Sequence, residues 1–409
     1  MNVLFLTHRL PYAPNRGDRV RAYFLLQLLR RHAHVTLVSL IHDNDEAAHV
    51  GRLKDDGTDV HAVRTNRLHG LAHSVISLPT TRPITHAMLD APGLIHTITA
   101  AVAARPPDVV LAYCSGMARL AFEPVLRDIP MVLDMVDVDS AKWADLAKVS
   151  RLPKSWIYRR EARTLRHFER AATAKAVATL VVTERERETL EAIAPEGRIL
   201  VVPNGIDVDA LRPPEPPADS QDVVFCGVMN YAPNEQAATL LAREVWPAVK
   251  RRRPQATLTI VGSNPSAGVR ALASASQGIV VTGAVPDVRP YLWRAAVAAA
   301  PLRTARGIQN KVLEAVAAGL PVVVTPNIFT SLPPTIADAC IAAESAEALA
   351  GAIVSLLERQ PAERRGLATR ARVADLTWDR QLAAVPGLLD EAAARRPAAI
   401  GMAEQVVAS

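Results

Sequence analysis

A predicted loop and the helix after it, in the C-terminal half, carry cations and a glycine at spacings that suit a phosphate site. Arg303, Arg306 and Gly307 stand in the loop, and the helix is predicted to open near Asn310 with Lys311 in its first turn. The N-terminus of a helix presents free N–H groups and a partial positive charge. A glycine lets the backbone approach a ligand closely. Three cations around that terminus indicate a diphosphate ligand.

Glu314 lies one helical turn beyond Lys311. A carboxylate there does not pair with phosphate, but it could accept hydrogen bonds from the two hydroxyls of a ribose. We therefore expect Lys311, Val312 and Glu314 to contribute to a nucleoside diphosphate pocket at the carboxyl edge of a parallel sheet. The alternative is a solvated surface helix with an incidental pair between Lys311 and Glu314.

Three aspartates, Asp134, Asp137 and Asp139, follow a predicted strand at 131–133. Carboxylates grouped at the end of a strand indicate a functional site. We expect Asp137, and after it Asp139, to hydrogen-bond or deprotonate a substrate hydroxyl. The alternatives are a metal site and capping of the following helix by Asp139 and Ser140.

The loop after the first predicted strand contains Gly17, Asp18, Arg19 and Arg21. Gly17 is expected to face a donor phosphate. Asp18 and Arg19, and after them Arg21, are expected to contact a second substrate, which would carry the hydroxyl group. The alternative is an ordinary turn in which Asp18 caps the next helix.

Short β-rich runs alternate with longer helical runs, and the alternation restarts near residue 222. This pattern predicts an α/β fold made of two parallel sheets covered by helices. Strands are predicted at 2–6, 35–40, 109–112, 131–133, 179–182 and 199–202, and then at 222–226, 256–261, 279–281, 296–300 and 321–324. Helical runs are predicted, among others, at 266–275 and 378–393. Four prolines between residues 211 and 217 indicate a connector. The expected organisation begins with an N-terminal domain at 1–203, which would bind the acceptor substrate, and a C-terminal domain at 204–375, which would bind the nucleotide donor. A helix at 376–395 is expected to pack back on the first domain, and residues 396–409 are expected to form a loose tail.

Composition excludes several classes of protein. The three cysteines are far apart, and the eleven histidines have no metal-ligand spacing, so we expect no metal. No apolar run approaches the roughly 20 residues of a membrane span. The first residues predict a strand and no signal peptide, which favours a cytoplasmic protein. Most of the net charge of +6 lies in the first 205 residues, which suits an anionic partner, but no nucleic-acid-binding signature is present.

The stretch 151–170 is strongly basic and also contains Trp156, Ile157, Leu165 and Phe168. One interpretation is peripheral contact with an anionic membrane, at its inner face, which would suit a lipid-linked acceptor. The other is a long solvent-facing helix in which glutamates pair with arginines four residues away.

Several motifs together resemble a known family. The run G-x-x-N-K-x-L-E-A-x-A-x-G-x-P-V-V at 307–323 and the segments 202–207, 225–234, 260–262 and 281–287 are similar to the retaining glycosyltransferases of family 4. Segments 8–21 and 134–143 resemble the sugar-transferase subgroup of bacterial exopolysaccharide loci of the exosortase type. The resemblance covers residues 2 to 390. It implies the GT-B fold, in which two Rossmann-like domains face each other across a cleft.

The resemblance implies transfer of a hexosyl group from a nucleoside diphosphate sugar to an acceptor hydroxyl, with retention and without a metal or other cofactor. It implies that Gly227, Asn230, Asn234 and Gly262 also contact the donor. This chain has Arg306 where the family has the first of two glutamates, and it lacks the usual Arg and Lys after the first strand of the second domain. We infer that Arg303, Arg306 and Lys311 supply the cationic charge, Arg306 and Lys311 as catalytic residues.

Two other functions remain open at the level of the sequence. One is a nucleotide-sugar epimerase with the same architecture. The other is a non-catalytic scaffold that binds a nucleotide sugar, which is suggested by the arginine at position 306. The absence of a G-x-G-x-x-G motif disfavours a nicotinamide or flavin dehydrogenase.

Overall fold

The computed structural model describes residues 1–12, 17–215, 219–303 and 309–396, with only the backbone of Gly17, Asp18 and Arg67. The chain forms two compact units. Unit 1 comprises Met1–Pro203 and the segment from Leu382 onward, and unit 2 comprises Asn204–Gln381. The sequence pattern ended the second domain at 375.

Unit 1 contains a seven-stranded parallel sheet. Its strands are β1 (Asn2–Thr7), β2 (His34–Ile41), β3 (Asp59–Arg64), β4 (Val109–Tyr113), β5 (Met131–Val136), β6 (Ala178–Val181) and β7 (Ile199–Val201). The order across the sheet is β3-β2-β1-β4-β5-β6-β7. Both faces are covered by helices, so the central strands are continuous apolar runs; every residue of β4 is buried.

Within the described residues, nine helices connect these strands. They are α1 (Gly17–His32), α2 (Asn44–Asp55), α3 (Arg67–Ser77), α4 (Ile84–Met88), α5 (Leu94–Ala104), α6 (Ser115–Ala118), α7 (Asp139–Val149), α8 (Lys154–Lys175) and α9 (Glu184–Glu191). A 3-10 turn at Arg119–Phe122 extends α6. The core between sheet and helices is built mostly from leucine, valine, isoleucine, methionine and alanine.

Unit 2 contains a six-stranded parallel sheet. Its strands are β8 (Asp222–Cys226), β9 (Thr257–Val261), β10 (Ile279–Gly283), β11 (Val297–Ala300), β12 (Val322–Val324) and β13 (Cys340–Ala342). The order is β10-β9-β8-β11-β12-β13, so the first six strands of both units follow the same order. This is the order of Rossmann-like, doubly wound sheets. The predicted α/β class with two such domains is confirmed.

The helices of unit 2 are shorter on average. They are α10 (Val208–Leu211), α11 (Ala232–Leu240), α12 (Trp246–Arg252), α13 (Ala267–Arg270), α14 (Arg289–Arg294), α15 (Asn310–Ala317), α16 (Pro326–Phe329), α17 (Ala346–Glu358), α18 (Pro361–Thr369) and α19 (Trp378–Gln381). A π-helical turn at Leu241–Val245 joins α11 to α12. Two 3-10 turns, Pro334–Ala339 and Val373–Leu376, complete the unit.

The last described helix, α20 (Val385–Ala394), belongs to unit 1. Glu391 on α20 pairs with Arg198 at 2.6 Å, and Arg396 pairs with Asp108 at 3.2 Å. The helical pattern predicted from 378 onward is therefore two helices. Short α19 stays in unit 2, where the backbone of Gly205 lies so close to Trp378 that an added Cβ would be 2.5 Å from its N atom.

Three local predictions differ from the structure. Strands β3 and β13 were not predicted: β3 is a polar edge strand with a mixed burial pattern, and β13 has three residues. The helix expected at 266–275 ends at Arg270, because Ser274 forms an antiparallel bridge with Ile279. Among the described helices, none is both long enough and apolar enough to cross a membrane.

Candidate functional site

The crevice of unit 2 lies where strand order reverses. Strands β9 and β10 lie on one side of β8 within the sheet, and β11, β12 and β13 lie on the other, so the strand order reverses between β8 and β11. Open α/β sheets bind ligands at the carboxyl ends of the two strands at such a point. The loops there begin at Gly227 and Pro301, and α15 starts at Asn310. The fold thus brings Gly227, Arg303 and Lys311, three of the predicted donor-binding residues, to one edge of unit 2, whereas Gly17 belongs to unit 1.

Two glycines shape this edge because two backbone segments nearly touch. A Cβ added to Gly262 would lie 1.6 Å from the carbonyl oxygen of Gly227. A Cβ added to Gly227 would lie 2.8 Å from Nδ2 of Asn234. The N–H of Gly227 donates to Val261 O at 3.0 Å, which ties the two loops together. Both positions therefore exclude any side chain.

Lys311 reaches from the first turn of α15 to the first turn of α11. Its Nζ donates a hydrogen bond to Oδ1 of Asn234 and lies 5.2 Å from the centroid of the Phe225 ring. Nδ2 of Asn234 donates to Val228 O at 2.9 Å, which fixes the amide. Burial lowers the pKa of Lys311 to about 8, although Cys226 and Glu314 act in the opposite direction.

The ammonium of Lys311 has no salt bridge to any carboxylate among the described residues. Its partners among the described residues are a neutral amide and an aromatic ring. A buried cation without an anionic partner is costly, and a bound anion would stabilise it. This is the strongest electrostatic indication of an anion site in unit 2.

Glu314 lies one turn further along α15, at the same edge. Burial raises its pKa, and Lys311 partly offsets that effect. The thiol pKa of Cys226 is raised to about 12, by burial first and then by the charge of Glu314. No donor among the described residues hydrogen-bonds to the carboxylate of Glu314. It is therefore available to hydroxyl groups.

The solvated-helix alternative for α15 is wrong. Val312, Leu313, Ala315 and Val316 of α15 are buried in the core of unit 2. Val312, predicted to contact the donor, is fully buried, and its N–H donates to Gln309 O at 2.8 Å. Its side chain therefore packs in the core of unit 2 and holds α15 in place.

The remaining donor-site predictions fall in three groups. Asn230 and Arg303 are exposed on the loops after β8 and β11. Asn310 opens α15, and its buried Oδ1 has no hydrogen-bond partner among the described residues. Arg306 and Gly307 lie outside the described residues.

The corresponding crevice of unit 1 lies at the ends of β1 and β4. His8 follows β1 and stacks on Tyr113 with ring centroids 5.7 Å apart. Its Nδ1 lies 3.4 Å from the sulfur of Cys114, which follows β4. Cys114 and Val136 have φ values of 67° and 68°, which are strained for residues other than glycine. Such strain clusters at functional sites.

Asp137 and Asp139 share one cation in this crevice. Nζ of Lys142 lies 2.8 Å from Oδ2 of Asp137 and 3.4 Å from Oδ1 of Asp139. Ser115 Oγ donates to Asp139 Oδ2 at 3.1 Å. Asp139 is the first residue of α7 and makes no capping bond, so the capping alternative is wrong. Sequence reasoning missed Lys142, although its i+3 spacing from Asp139 was a signal.

The third aspartate, Asp134, is part of the core. It is fully buried and pairs with Arg21, whose Nε lies 2.8 Å from Oδ2. Arg21 also donates to Pro203 O at 3.2 Å. The structure therefore separates Asp134 from the two aspartates near the surface. No group of three metal-ligating side chains occurs among the residues that the structure describes.

Arg19 is also buried, and its guanidinium faces α2. Its Nη2 lies 2.8 Å from Oε1 of Glu46, and Arg9 contacts the same oxygen at 2.7 Å. The positive charge of Arg19, which was expected to contact an acceptor, is thus neutralised within unit 1. Gly17 and Asp18 open α1, but their side-chain surroundings lie outside the described part of the structure.

Two family models match the chain. The "Glycosyl transferase 4-like domain" matches residues 16–205, and "Glycosyl transferases group 1" matches residues 220–359. The matches fall on unit 1 and unit 2 and together span most of the chain. No curated protein sequence matches it.

Several solved structures have a similar fold. Sucrose-phosphate synthase from Thermosynechococcus elongatus has a TM-score of 0.67 at 18% identity, with 96% of this chain and 99% of that chain covered. Anabaena HepE, in complex with UDP and glucose, has a TM-score of 0.65 at 14% identity, with 96% and 100% covered. TarM of S. aureus has a TM-score of 0.67 at 11% identity, with 95% and 98% covered.

Proposed function

We propose that this chain, which belongs to the glycosyltransferases of the GT-B fold, transfers a hexosyl group from a nucleoside diphosphate sugar to an acceptor hydroxyl. The observation that carries the proposal is Lys311, a partly buried ammonium on the first turn of α15 that forms no salt bridge with a carboxylate among the described residues. The similar protein HepE was solved with UDP, which supports a nucleotide donor.

In this proposal unit 2 holds the donor. Lys311, Arg303 and the N-terminal turn of α15 bind the diphosphate, and Arg306 adds a further cation. Glu314 accepts hydrogen bonds from the ribose hydroxyls. The glycine contact between Gly227 and Gly262 leaves room for the nucleoside against the backbone. Charge that develops on the leaving diphosphate is then stabilised by preorganised cations, which is a large term in catalysis.

The proposed reaction retains the configuration of the anomeric carbon. The bond between that carbon and the phosphate oxygen breaks, and a bond to the acceptor oxygen forms on the same face. The acceptor proton passes to the leaving phosphate oxygen or to Asp137. Retention is supported by the resemblance of segment 307–323 to retaining enzymes. An inverted product, seen in the anomeric coupling by NMR, would refute it.

In unit 1 we propose that Asp137 and Asp139 hold the acceptor hydroxyl, with Lys142 fixing both carboxylates. The acceptor would be a glycan or a lipid-linked saccharide at the inner face of the membrane, in exopolysaccharide or related glycan assembly. The proposed reaction uses no metal, because Arg303, Arg306 and Lys311 would neutralise the charge of the diphosphate in place of a metal ion. Undiminished turnover in excess EDTA is the expected result.

The experiment that tests the function combines a binding screen with a turnover assay. Thermal shift against a panel of nucleotide sugars identifies the donor, because a ligand that binds only the folded state raises Tm. Release of the nucleotide is then measured with and without glycan and lipid-linked acceptors. Acceptor-dependent release supports the transferase.

The same assay separates the two rivals. A sugar that changes configuration without any acceptor would support the epimerase. Binding of UDP or GDP without release from any donor, even with native lipid-linked acceptor, would support the scaffold. Either outcome would refute the proposed transfer.

A further inference from the structure

Helix α3 in unit 1 is packed with its apolar side outward. Leu68, Leu71, Val75 and Ile76 are 77%, 62%, 58% and 68% exposed. A helix on the surface of a globular protein normally turns its apolar stripe to the core. Here four large apolar residues, at helical spacing, face away from it.

The inward side of α3 is made of small residues. Gly70 lies against α4 so closely that an added Cβ would be 2.9 Å from Met88 O. The hydroxyls of Ser74 and Ser77 are satisfied within the helix, donating to Gly70 O and His73 O at 2.7 Å each. The orientation is therefore built into the packing, since the large residues would not fit on this side.

A second group of apolar residues is exposed where α7 passes into α8. It consists of Leu146, Val149, Leu152 and Trp156, of which Val149 and Leu152 are more than three-quarters exposed. The pairing expected for a solvent-facing helix is not present: the carboxylate of Glu161 accepts from the N–H groups of Ile84 and Thr85. The first part of α8 is instead fixed against the segment after α3.

One side chain joins the two groups. The guanidinium of Arg160 on α8 donates to the carbonyl oxygens of Ser77 and Leu78 at the end of α3. Trp156 lies one turn earlier on the same side of α8. We call the combined surface the apolar face, and it consists of Leu68, Leu71, Val75, Ile76, Met88, Leu146, Val149, Leu152 and Trp156.

The charges around the apolar face are mainly positive, and the nearest acidic residues, Asp90 and Asp145, pair with Arg82 and Lys148. Neither 65–89 nor 146–160 contains an aspartate or a glutamate. Arg151, Lys154 and Arg159 are exposed there and form no ion pair with any described residue. A surface that combines apolar side chains with an excess of cations is complementary to an anionic lipid headgroup region. A second copy of the same surface would place like charges together.

We propose that the apolar face docks unit 1 on an anionic lipid bilayer. Its apolar side chains enter the boundary between headgroups and acyl chains, and Arg151, Lys154 and Arg159 contact the headgroups. Docking requires neither donor nor acceptor. It can therefore be measured separately from the proposed transfer, and failure of one does not imply failure of the other.

Vesicle co-sedimentation of the full chain tests the docking. We expect binding to vesicles of phosphatidylcholine mixed with phosphatidylglycerol and little binding to phosphatidylcholine alone. The double variant L71S/V75S, and separately W156S, should each lower partition to the mixed vesicles about tenfold. The control V280S also removes an exposed apolar residue, one that is 48% exposed in unit 2, and should bind as the parent protein does.

Charge reversal tests the electrostatic part. R151E and K154E should each lower partition about fivefold, and added salt should weaken the binding of the parent protein. The matched control is R251E, which reverses an exposed cation on α12. Circular dichroism and Tm verify that each variant is folded.

Three results would overturn the proposal. One is a folded parent protein that does not sediment with anionic vesicles at low salt. Another is a set of folded variants that bind as the parent does. The last is a dimer in analytical ultracentrifugation that L71S/V75S dissociates, since the apolar face would then be covered by a second copy.

Discussion

The crevices of the two units share a strand order but differ in charge. In unit 2 the contacts of the Lys311 ammonium with described residues are to a neutral amide and an aromatic ring. In unit 1 the carboxylates of Asp137 and Asp139 outnumber the one cation, Lys142, that both contact. We therefore propose that the same backbone plan serves an anion in one unit and hydroxyl groups in the other. The side chains at the strand ends decide the chemistry, not the sheet.

The largest effect on donor binding is expected from removing the ammonium group of Lys311 in unit 2. K311A should lower donor affinity about a hundredfold, because it deletes the charge that faces the diphosphate. Isothermal titration with the donor nucleotide measures this. R251A, which removes an exposed cation of the same unit, is the control. Unchanged donor affinity in folded K311A would contradict the assignment of the diphosphate to this crevice.

The next effect should appear in turnover alone. D137N keeps the shape of the side chain but removes its charge, and should lower kcat about a hundredfold, as expected for loss of general acid–base assistance. Nucleotide affinity should stay within twofold, since the change is in unit 1. The control is D145N, an exposed aspartate on α7 that pairs with Lys148. Loss of nucleotide binding in D137N would contradict the assignment of the donor to unit 2 and of the acceptor to unit 1.

A smaller effect is expected from filling the backbone contact in unit 2. G262A places a Cβ 1.6 Å from Gly227 O, so the loops must separate. Overpacking of this kind costs about 2 kcal/mol of the free energy of unfolding. Chemical denaturation should show the loss, together with weaker nucleotide binding. The control G351A adds a methyl group where nothing lies within 4 Å. Equal stability of G262A and the parent would show that the contact is not tight.

The smallest effect is a dependence on pH. The pKa of Lys311 is lowered to about 8, so its charge is lost as pH rises through that value. Nucleotide affinity should therefore be constant below pH 7 and fall up to about tenfold per pH unit above pH 8. K311R stays charged and should give a flat profile. A parent profile without this decline would mean that Lys311 is not the cation that binds the phosphate.

The local parts of the nucleotide site could be predicted from sequence. The helix that carries Lys311 and Glu314 is expected from the sequence, and Gly319, with φ of 85°, ends it. Residues three or four apart on a helix share a face, so the relation between these two side chains is local information. The α/β class is likewise predicted by the alternation of short β-rich runs with longer helical runs.

Other parts could not be predicted, because they depend on contacts between distant residues. Arg19 and Arg21 look alike in the sequence, yet one pairs with Glu46 and the other with Asp134, across 27 and 113 positions. The amide that holds Lys311 lies 77 residues away. The reversed packing of α3 depends on α4 approaching Gly70, which the composition of the helix does not reveal.

The sequence by itself determined the two α/β units and the placement of Lys311 and Glu314 on one helix, because periodicity and helix termini are local properties of the chain. Only the tertiary structure decided which charges are neutralised and which remain available to a ligand. The physical reason is that the state of a charged side chain depends on its burial and on its nearest partner. In this protein both are set by residues that are far apart in the chain.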